Sequence, residues 1–484
     1  MRYTEIAPAQ PFEGAPRINL ASVYGASPDK PILMKIPVTG ARPLTYGAEG
    51  LPEGLTLENG IIAGRAAAEG SYPVRLTAEN ALGRAEKTVT LEIRPGSLQL
   101  TPLMGFTSWN AFGYEVTQAD MEAAAARMTQ LGLQEYGYTF INTDSGWQGE
   151  YGGPFDAIQP NEKFPDIAGM VARLHAAGYK CGIYSTPMLH AFGTSWDYVP
   201  LPPGCTQGEP DPRFADTRGG IGVIRKEKNN ALQWAAWGFD YLKYDWYPSD
   251  PWNAELMRQE LVKTDRDFAF CVTVRARPEY HGYWSRYCTS WRCNGDSVCS
   301  WKNLLAIYQT YFDSFEYINR GHFFDLDMLD TGCCRLFDKL GFSQKPGYGL
   351  SEDEQLTAYS MRAFLCSPIQ LSSTLETVSD FEMAMYGNEE VIAINQDAAC
   401  RAAKPYLMQE DGAKRIHVFR RLLENGDIAF CAFNLGETEE TVKLWLDEPA
   451  AVRDVWAKKD LGVTETVSLR MMPHTVRILR TAKV

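Results

Sequence analysis

The spacing of apolar positions changes character twice along the chain. Through residues 1–98, apolar and polar residues alternate in short runs such as YPVRLTA (72–78) and KTVTLEI (87–93). Turn formers break the runs at close intervals: Pro52-Glu53-Gly54, Asn59-Gly60, Gly70 and Gly83. A period of two puts one side of each strand in a core and the other in water. Short strands so punctuated predict a small β-sandwich, and Arg94-Pro95-Gly96-Ser97 reads as a linker. From 99 to 400, strand-length apolar runs alternate with helical periodicity. Strands are predicted at Leu103–Trp109, Tyr138–Asp144, Lys180–Thr186, Asp240–Trp246, Phe268–Val274, Tyr287–Arg292, His322–Met328 and Pro368–Ser373. Helices are predicted between them, among others at Gln118–Leu131, Ile167–Ala177, Lys226–Trp237 and Glu354–Phe364. Eight strand–crossover units in roughly 300 residues predict a (β/α)8 barrel. A doubly wound sheet is the alternative, but no G-x-G-x-x-G follows the first strand. From 401 to 484 the helical signals stop. Alternating runs at Arg415–Arg420, Asp427–Asn434, Thr441–Leu446 and Thr475–Leu479, broken by Asn425-Gly426 and Gly436, predict a C-terminal antiparallel β-sandwich.

Composition narrows the partners. A net charge of −13 argues against nucleic acid, which needs a basic surface. No run is long and apolar enough to span a membrane. Aromatics are 12% of the 484 residues, which fits sugar-stacking surfaces and a large β-rich core equally. The 11 cysteines, including Cys181, Cys205, Cys271, Cys333 and Cys334, are scattered without paired C-x-x-C spacing, so no zinc site is indicated. With no apolar h-region in MRYTEIAPAQPFEG, the expectation is a cytoplasmic protein with few or no disulfides.

In a (β/α)8 barrel, the active site forms from the carboxyl ends of the strands and the loops that follow. Several predicted strands end in polar, charged or aromatic groups: Trp109, Asp144, Tyr184, Asp245, Arg292 and Asp327. In YLKYDW (241–246), Tyr241, Lys243 and Asp245 share one face. If that face is the barrel interior, the ammonium of Lys243 lies near Asp245 and favours its carboxylate. A carboxylate nucleophile needs that state. An ion pair that merely closes the barrel mouth would read the same. In SWRCNGDSVCSW (290–301), Gly295 permits a bend that returns Asp296 over the rim. As a proton donor, Asp296 would need its pKa raised by burial or by charge on Asp245; an Arg292–Asp296 loop clamp is the structural alternative. Together the two aspartates are the pair that glycoside hydrolysis uses. In GHFFDLDML (321–329), Asp325 and Asp327 share a predicted strand face, one to meet sugar hydroxyls and the other to hold Arg292 or an adjacent loop. A metal pair is the rival reading there, without a His/Glu partner set around it.

The ordered motifs TPLMGFTSWNAFG (101–113), FINTDSGWQ (140–148), KCGIYS (180–185), FDYLKYDW (239–246), SWRCNGD (290–296) and DLDML (325–329) resemble glycoside hydrolase family 27. That family holds α-galactosidases, α-N-acetylgalactosaminidases and a few relatives acting on other sugars. The resemblance spans about residues 101–400, and the β domain after it also fits. The stretch 51–93 resembles the Ig-like or cadherin-like domains appended to bacterial glycosidases. The family resemblance implies a retaining exo-mechanism through a covalent glycosyl-enzyme, with Asp245 as nucleophile, Asp296 as acid/base and no metal or organic cofactor. It implies that Trp109, Asp144, Tyr184, Lys243, Arg292 and Asp327 hold the terminal sugar. Three positions depart from the pattern. Ser145 replaces the second of two adjacent acids that grip the C4 and C6 hydroxyls. Thr273, Arg275 and Arg277 stand where the family recognises the C2 substituent. Tyr247 replaces a common cysteine. The expected substrate is the terminal sugar of an oligosaccharide or glycoside, galactose first. Recut pockets for β-L-arabinopyranoside, α-N-acetylgalactosaminide or a charged galactoside are the alternatives within the class. A non-catalytic carbohydrate-binding barrel is the alternative outside it, opposed by the presence of Asp245, Asp296 and Lys243 together. A homo-oligomer is compatible with the sequence.

Overall fold

The computed structural model describes residues 2–192, 198–200, 209–273, 276–332 and 334–484. The N-terminal part is a sandwich of two sheets. One, of four strands, has the order Val23–Ala26, Gly83–Ile93, Gly70–Asn80, Thr45–Glu49; the other, of three, has the order Pro31–Lys35, Ile61–Arg65, Leu55–Glu58. The alternation does what period two requires: Val74, Leu76 and Ala78, and on the neighbouring strand Val89, Leu91 and Ile93, are buried in one core with Met34, Ile36 and Ile62. Residues 2–10 lie outside the sandwich. They tie it to the rest of the chain through backbone N–H donation from Thr4 to Asp353 (3.0 Å), from Ala7 to the Trp456 carbonyl (3.0 Å) and from Gln10 to the Tyr136 hydroxyl (3.1 Å).

Eight parallel strands follow: Met104–Thr107, Phe140–Asn142, Lys180–Ser185, Tyr241–Asp245, Ala269–Thr273, Ser290–Trp291, Phe323–Phe324 and Ile369–Leu371. The first pairs with the eighth. The ring closes through Leu329, whose N–H donates to Gln370 at 2.8 Å and whose carbonyl accepts from Ser372 at 3.1 Å. The helix Gln118–Leu131 has the predicted bounds because its ends are well marked: a Thr117/Asp120 capping box opens it and left-handed Gly132 closes it. Three expected strand ends are corrected. Trp109 starts a short helix, Trp109–Phe112. Tyr287 ends a helix, His281–Tyr287, so the sixth strand begins only at Ser290. The seventh strand stops at Phe324 rather than Met328, because Asp327 takes a left-handed φ of 65° that no ladder accommodates.

The C-terminal sheet has six antiparallel strands, in the order Lys404–Asp411, Lys414–Leu422, Ile428–Asn434, Val476–Lys483, Glu440–Asp454, Lys459–Met471. The first and last of these were not predicted. Lys404–Asp411 is an edge strand exposed along almost its whole length, so it carries no alternation to read. Among the described residues Cys181, Cys271, Cys288, Cys293, Cys299, Cys366, Cys400 and Cys431 carry free thiols; Cys205 and Cys333 lie outside the described residues.

The N-terminal sandwich covers the end of the barrel where the strands begin. Ser27 donates its N–H to Asp267 (2.7 Å), just before the fifth strand. Val38 donates to Glu135 (3.0 Å), ahead of the second. Lys180, the first residue of the third strand, places its ammonium 4.9 Å from the Tyr24 ring centroid. The opposite rim, where the strands end, carries the polar residues singled out above.

Candidate active site

The fourth strand, YLKYD, turns Leu242 and Tyr244 outward into the helix-facing core, while Tyr241 packs inside the barrel with Leu103, Phe140, Ala269 and Cys271. Lys243 and Asp245 therefore also face the interior, higher in the barrel. The expected Lys243–Asp245 ion pair does not form. Lys243 Nζ instead meets Asp144 Oδ2 at 2.7 Å and lies 5.7 Å from the Tyr184 ring centroid. The reason is lateral: the third strand lies between the second and the fourth, and the loop after the second strand brings Asp144 across to the ammonium. Asp144 is held in turn by its backbone N–H on Ser108 Oγ (2.9 Å), and its Oδ1 accepts the Ser145 N–H (2.8 Å). Burial opposes the Lys243 charge, but the carboxylates of Asp144 and Asp245 overcome it and raise its pKa.

Asp245 closes the fourth strand beside Thr273 of the fifth. It is 6% exposed, and among the described residues its buried Oδ1 has no hydrogen-bond partner. Burial pushes its carboxyl up to about 7; Lys243 and Arg292 pull it down, and Asp296 and Asp144 push it further up. Lys243 does favour the Asp245 carboxylate, as the sequence reading has it, but it does not set the balance. Desolvation is the larger effect, and the lysine's short contact goes to another carboxylate.

Arg292 organises the opposite side. It is buried, with Nε on Thr273 Oγ1 (2.7 Å), Nη2 on Asp296 Oδ1 (2.8 Å) and Nη1 in an ion pair with Asp327 Oδ2. Asp296 returns over the rim as the Gly295 bend predicts, and its side chain stays 31% exposed. The Arg292–Asp296 clamp and a catalytic role are therefore both compatible with one geometry. Asp327 Oδ2 also accepts the Ser297 N–H (2.6 Å), and the Asp327 N–H donates to Asp325 Oδ1 (2.8 Å). Asp325 and Asp327 thus stack in a turn instead of sharing a strand face. Among the described residues no cluster of three or more His, Cys, Asp or Glu suited to a metal surrounds them.

The structure therefore brings together Asp144, Ser145, Tyr184, Lys243, Asp245, Thr273, Arg292, Asp296 and Asp327 at one rim. Trp109 is buried there against Met328, Leu336 and Phe337. Arg275 lies outside the described residues. Arg277 pairs with Asp216 (3.1 Å) and lines a cavity with Tyr247, Asn294 and Gly295. Tyr247 is 40% exposed. Sequence reasoning missed Arg362, Asn110 and Asp330. Asn110 Nδ2 donates to Asp330 (2.7 Å), whose carboxyl burial raises to about 7. A lone arginine within the apolar helix stretch AYSMRAFL was the available signal.

Family models match three stretches in chain order: a provisional Ig domain over residues 15–94, "Alpha galactosidase A" over 215–397 and "Alpha galactosidase C-terminal beta sandwich domain" over 413–481. The chain is a glycoside hydrolase similar to the α-galactosidase family. Its relatives there include "Alpha-galactosidase A" of Cellvibrio japonicus, 26% identical over 417 residues, covering 79% of this chain and 92% of that protein. A Bacteroides fragilis crystal structure, provisionally an α-galactosidase/melibiase, is 28% identical with a TM-score of 0.86, covering 98% of this chain and 99% of that one. α-Galactosidase I of Mortierella vinacea, 24% identical with a TM-score of 0.64 over 80% of this chain and 98% of its own, shares the fold. The central family match contains Asp245, Asp296 and Asp327. It leaves out the first three barrel strands, where Trp109, Asp144, Ser145 and Tyr184 sit.

Proposed function

We propose that this protein is an exo-acting, retaining glycosidase that removes a terminal α-galactose-type sugar, with Asp245 as nucleophile and Asp296 as acid/base. The observation that carries the reading is the contrast between the two carboxyls. Asp245 is buried at the base of the site with one oxygen unpartnered, the state of a group reserved for an incoming electrophile. Asp296 is half-open to solvent on the other side of Arg292, where a leaving group departs and water enters. In the first step Asp245 forms a bond to the anomeric carbon as the glycosidic bond breaks, and the Asp296 carboxyl gives its proton to the departing oxygen. In the second step Asp296, now a carboxylate, takes a proton from water as that water displaces Asp245 and restores the free enzyme. Arg292 touches Asp296 directly and bears electrostatically on Asp245, so one cation steadies both carboxylates. Asp144, Lys243, Tyr184, Thr273 and Asp327, together with Arg275, supply the sugar contacts in this reading.

The test is hydrolysis of p-nitrophenyl α-D-galactopyranoside by wild type and Asp245→Ala, with the first-formed anomer followed by proton NMR. α-Galactose appearing first, and no turnover by the variant, is the expected result. β-Galactose appearing first would overturn the retaining mechanism.

A second reading is favoured by Ser145. The residue after Asp144 is neutral and buried, so one anionic acceptor for a sugar hydroxyl is missing. The same machinery would then prefer a glycone with fewer demands at C4 and C6, such as β-L-arabinopyranoside.

A further inference from the structure

We propose that Arg362, on the helix Glu352–Phe364 behind the barrel wall, is a positioning residue that sets the geometry of the proton-donating carboxyl of Asp296. The inference rests on the acid/base assignment above.

Arg362 is 1% exposed, yet among the described residues no carboxylate lies within ion-pair distance of it. Its donors go to backbone oxygens. Nη2 reaches the carbonyls of Leu326 (3.1 Å) and Met328 (2.7 Å), Nε that of Asp327 (2.9 Å), and Nη1 that of Ala358 in its own helix (3.1 Å). A buried guanidinium normally faces an acid. Here it gathers three successive carbonyls of one loop. Successive carbonyls in an extended strand point to opposite sides, so they converge on one cation only where the strand has been broken. The break is Asp327, a non-glycine residue at φ 65°. Such a backbone persists only where its surroundings over-determine it, and the Arg362 bonds supply that constraint.

What the constrained turn delivers is the Asp327 carboxylate. Its Oδ2 takes the Ser297 N–H at 2.6 Å and pairs with Arg292 Nη1. Both contacts lead to Asp296. Ser297 is its chain neighbour, and Arg292 Nη2 bonds its Oδ1 at 2.8 Å. Arg362 thus acts on Asp296 through two routes, one along the backbone and one through a guanidinium, without touching substrate or either catalytic carboxyl. Relaxing the turn would let Asp296 swing while leaving Asp245 on its own strand undisturbed.

A displaced proton donor penalises poor leaving groups most, because 2,4-dinitrophenolate leaves unprotonated and an alkoxide does not. The experiment compares kcat/KM on methyl and on 2,4-dinitrophenyl α-D-galactopyranoside for wild type, Arg362→Lys, Arg362→Gln and Asp296→Ala. Two Arg362 variants are included so that one failing to fold leaves the other to decide. The expected result is a loss at least tenfold larger on the methyl glycoside than on the aryl one for the Arg362 variants, in the same sense as Asp296→Ala. Amide hydrogen exchange at Ser297 should quicken at least tenfold in the same variants, a readout that needs no substrate. Equal losses on both glycosides with unchanged Ser297 exchange would overturn the proposal. An Asp296→Ala enzyme without a leaving-group split would instead overturn the acid/base assignment beneath it.

Discussion

Asp240 and Asp245 stand five residues apart, at the two ends of one strand, and their chemistry is opposite. Asp240, at the end covered by the N-terminal sandwich, is saturated. Its Oδ2 accepts from the Cys181 N–H and pairs with His175 Nε2, both at 2.8 Å, and its Oδ1 accepts from Arg266 at 2.7 Å. Burial would raise its pKa, but these partners outweigh burial and hold it at about 2. Asp245, at the open rim, keeps a bare buried oxygen and sits at about 7. Both are buried aspartates in a charged neighbourhood. What separates them is whether the fold completes their hydrogen bonds. A saturated buried acid is a brace, and an unsaturated one is available for chemistry.

The sharpest way to break the comparison is to neutralise each acid in turn. Asp245→Asn should lower kcat by on the order of 10⁴-fold or more while leaving the fold intact. Asp240→Asn should leave kcat within a few-fold and lose about 3 kcal/mol of stability, since it leaves the half-buried Arg266 and His175 without their acid. Activity and denaturant melts on both variants check this; reversed outcomes would end the brace-and-nucleophile distinction.

The pH dependence sharpens it further. Asp245 must be ionised to attack, so the acid limb of kcat/KM should fall near pH 7. Stability should move the other way. The raised carboxyls of Asp245 (about 7), Asp330 (about 7) and Asp325 (about 6) bind protons more tightly folded than unfolded. Their contribution is complete below the unfolded value of about 4 and is lost as pH rises through 6 to 7. Asp240 contributes in the opposite sense, with stability present above about 4 and lost as pH falls toward 2. Melting temperature should therefore decline between pH 5 and 8, and Asp245→Asn should flatten that decline. A melting temperature that climbs steadily over that range would contradict the burial of these three acids.

The smallest expected effect concerns the pocket. Ser145→Asp should shift the kcat/KM ratio of α-D-galactoside to β-L-arabinopyranoside by roughly tenfold, the worth of one charge-assisted hydrogen bond. An unchanged ratio would remove Ser145 from the question of which sugar is taken.

The barrel was legible because its strands are buried on both faces and its helices carry marked ends. All eight predicted strands contain the observed ones, and Gln118–Leu131 matches at both bounds. The overruns have local causes that periodicity does not encode. FFDLDML has a strand-like pattern throughout, yet the strand stops at Phe324: Asp327 takes a left-handed φ, and Arg362, from a helix that starts 23 residues after Leu329, binds the carbonyls of Leu326, Asp327 and Met328.

The sequence by itself determined which residues face inward on the fourth strand, and that Asp245 and Asp296 would meet at one rim. Period two and the order of the strand–loop units are local properties, and a (β/α)8 closure leaves little freedom in where strand ends go. Only the tertiary structure decided the partners. Lys243 chose Asp144 over the Asp245 two residues away, Arg292 bridged Asp296 and Asp327, and burial rather than a neighbouring cation fixed the charge of Asp245. Side chains from different strands compete for each charge across a few ångströms. The outcome depends on distance and desolvation, neither of which is written in any one segment of the chain.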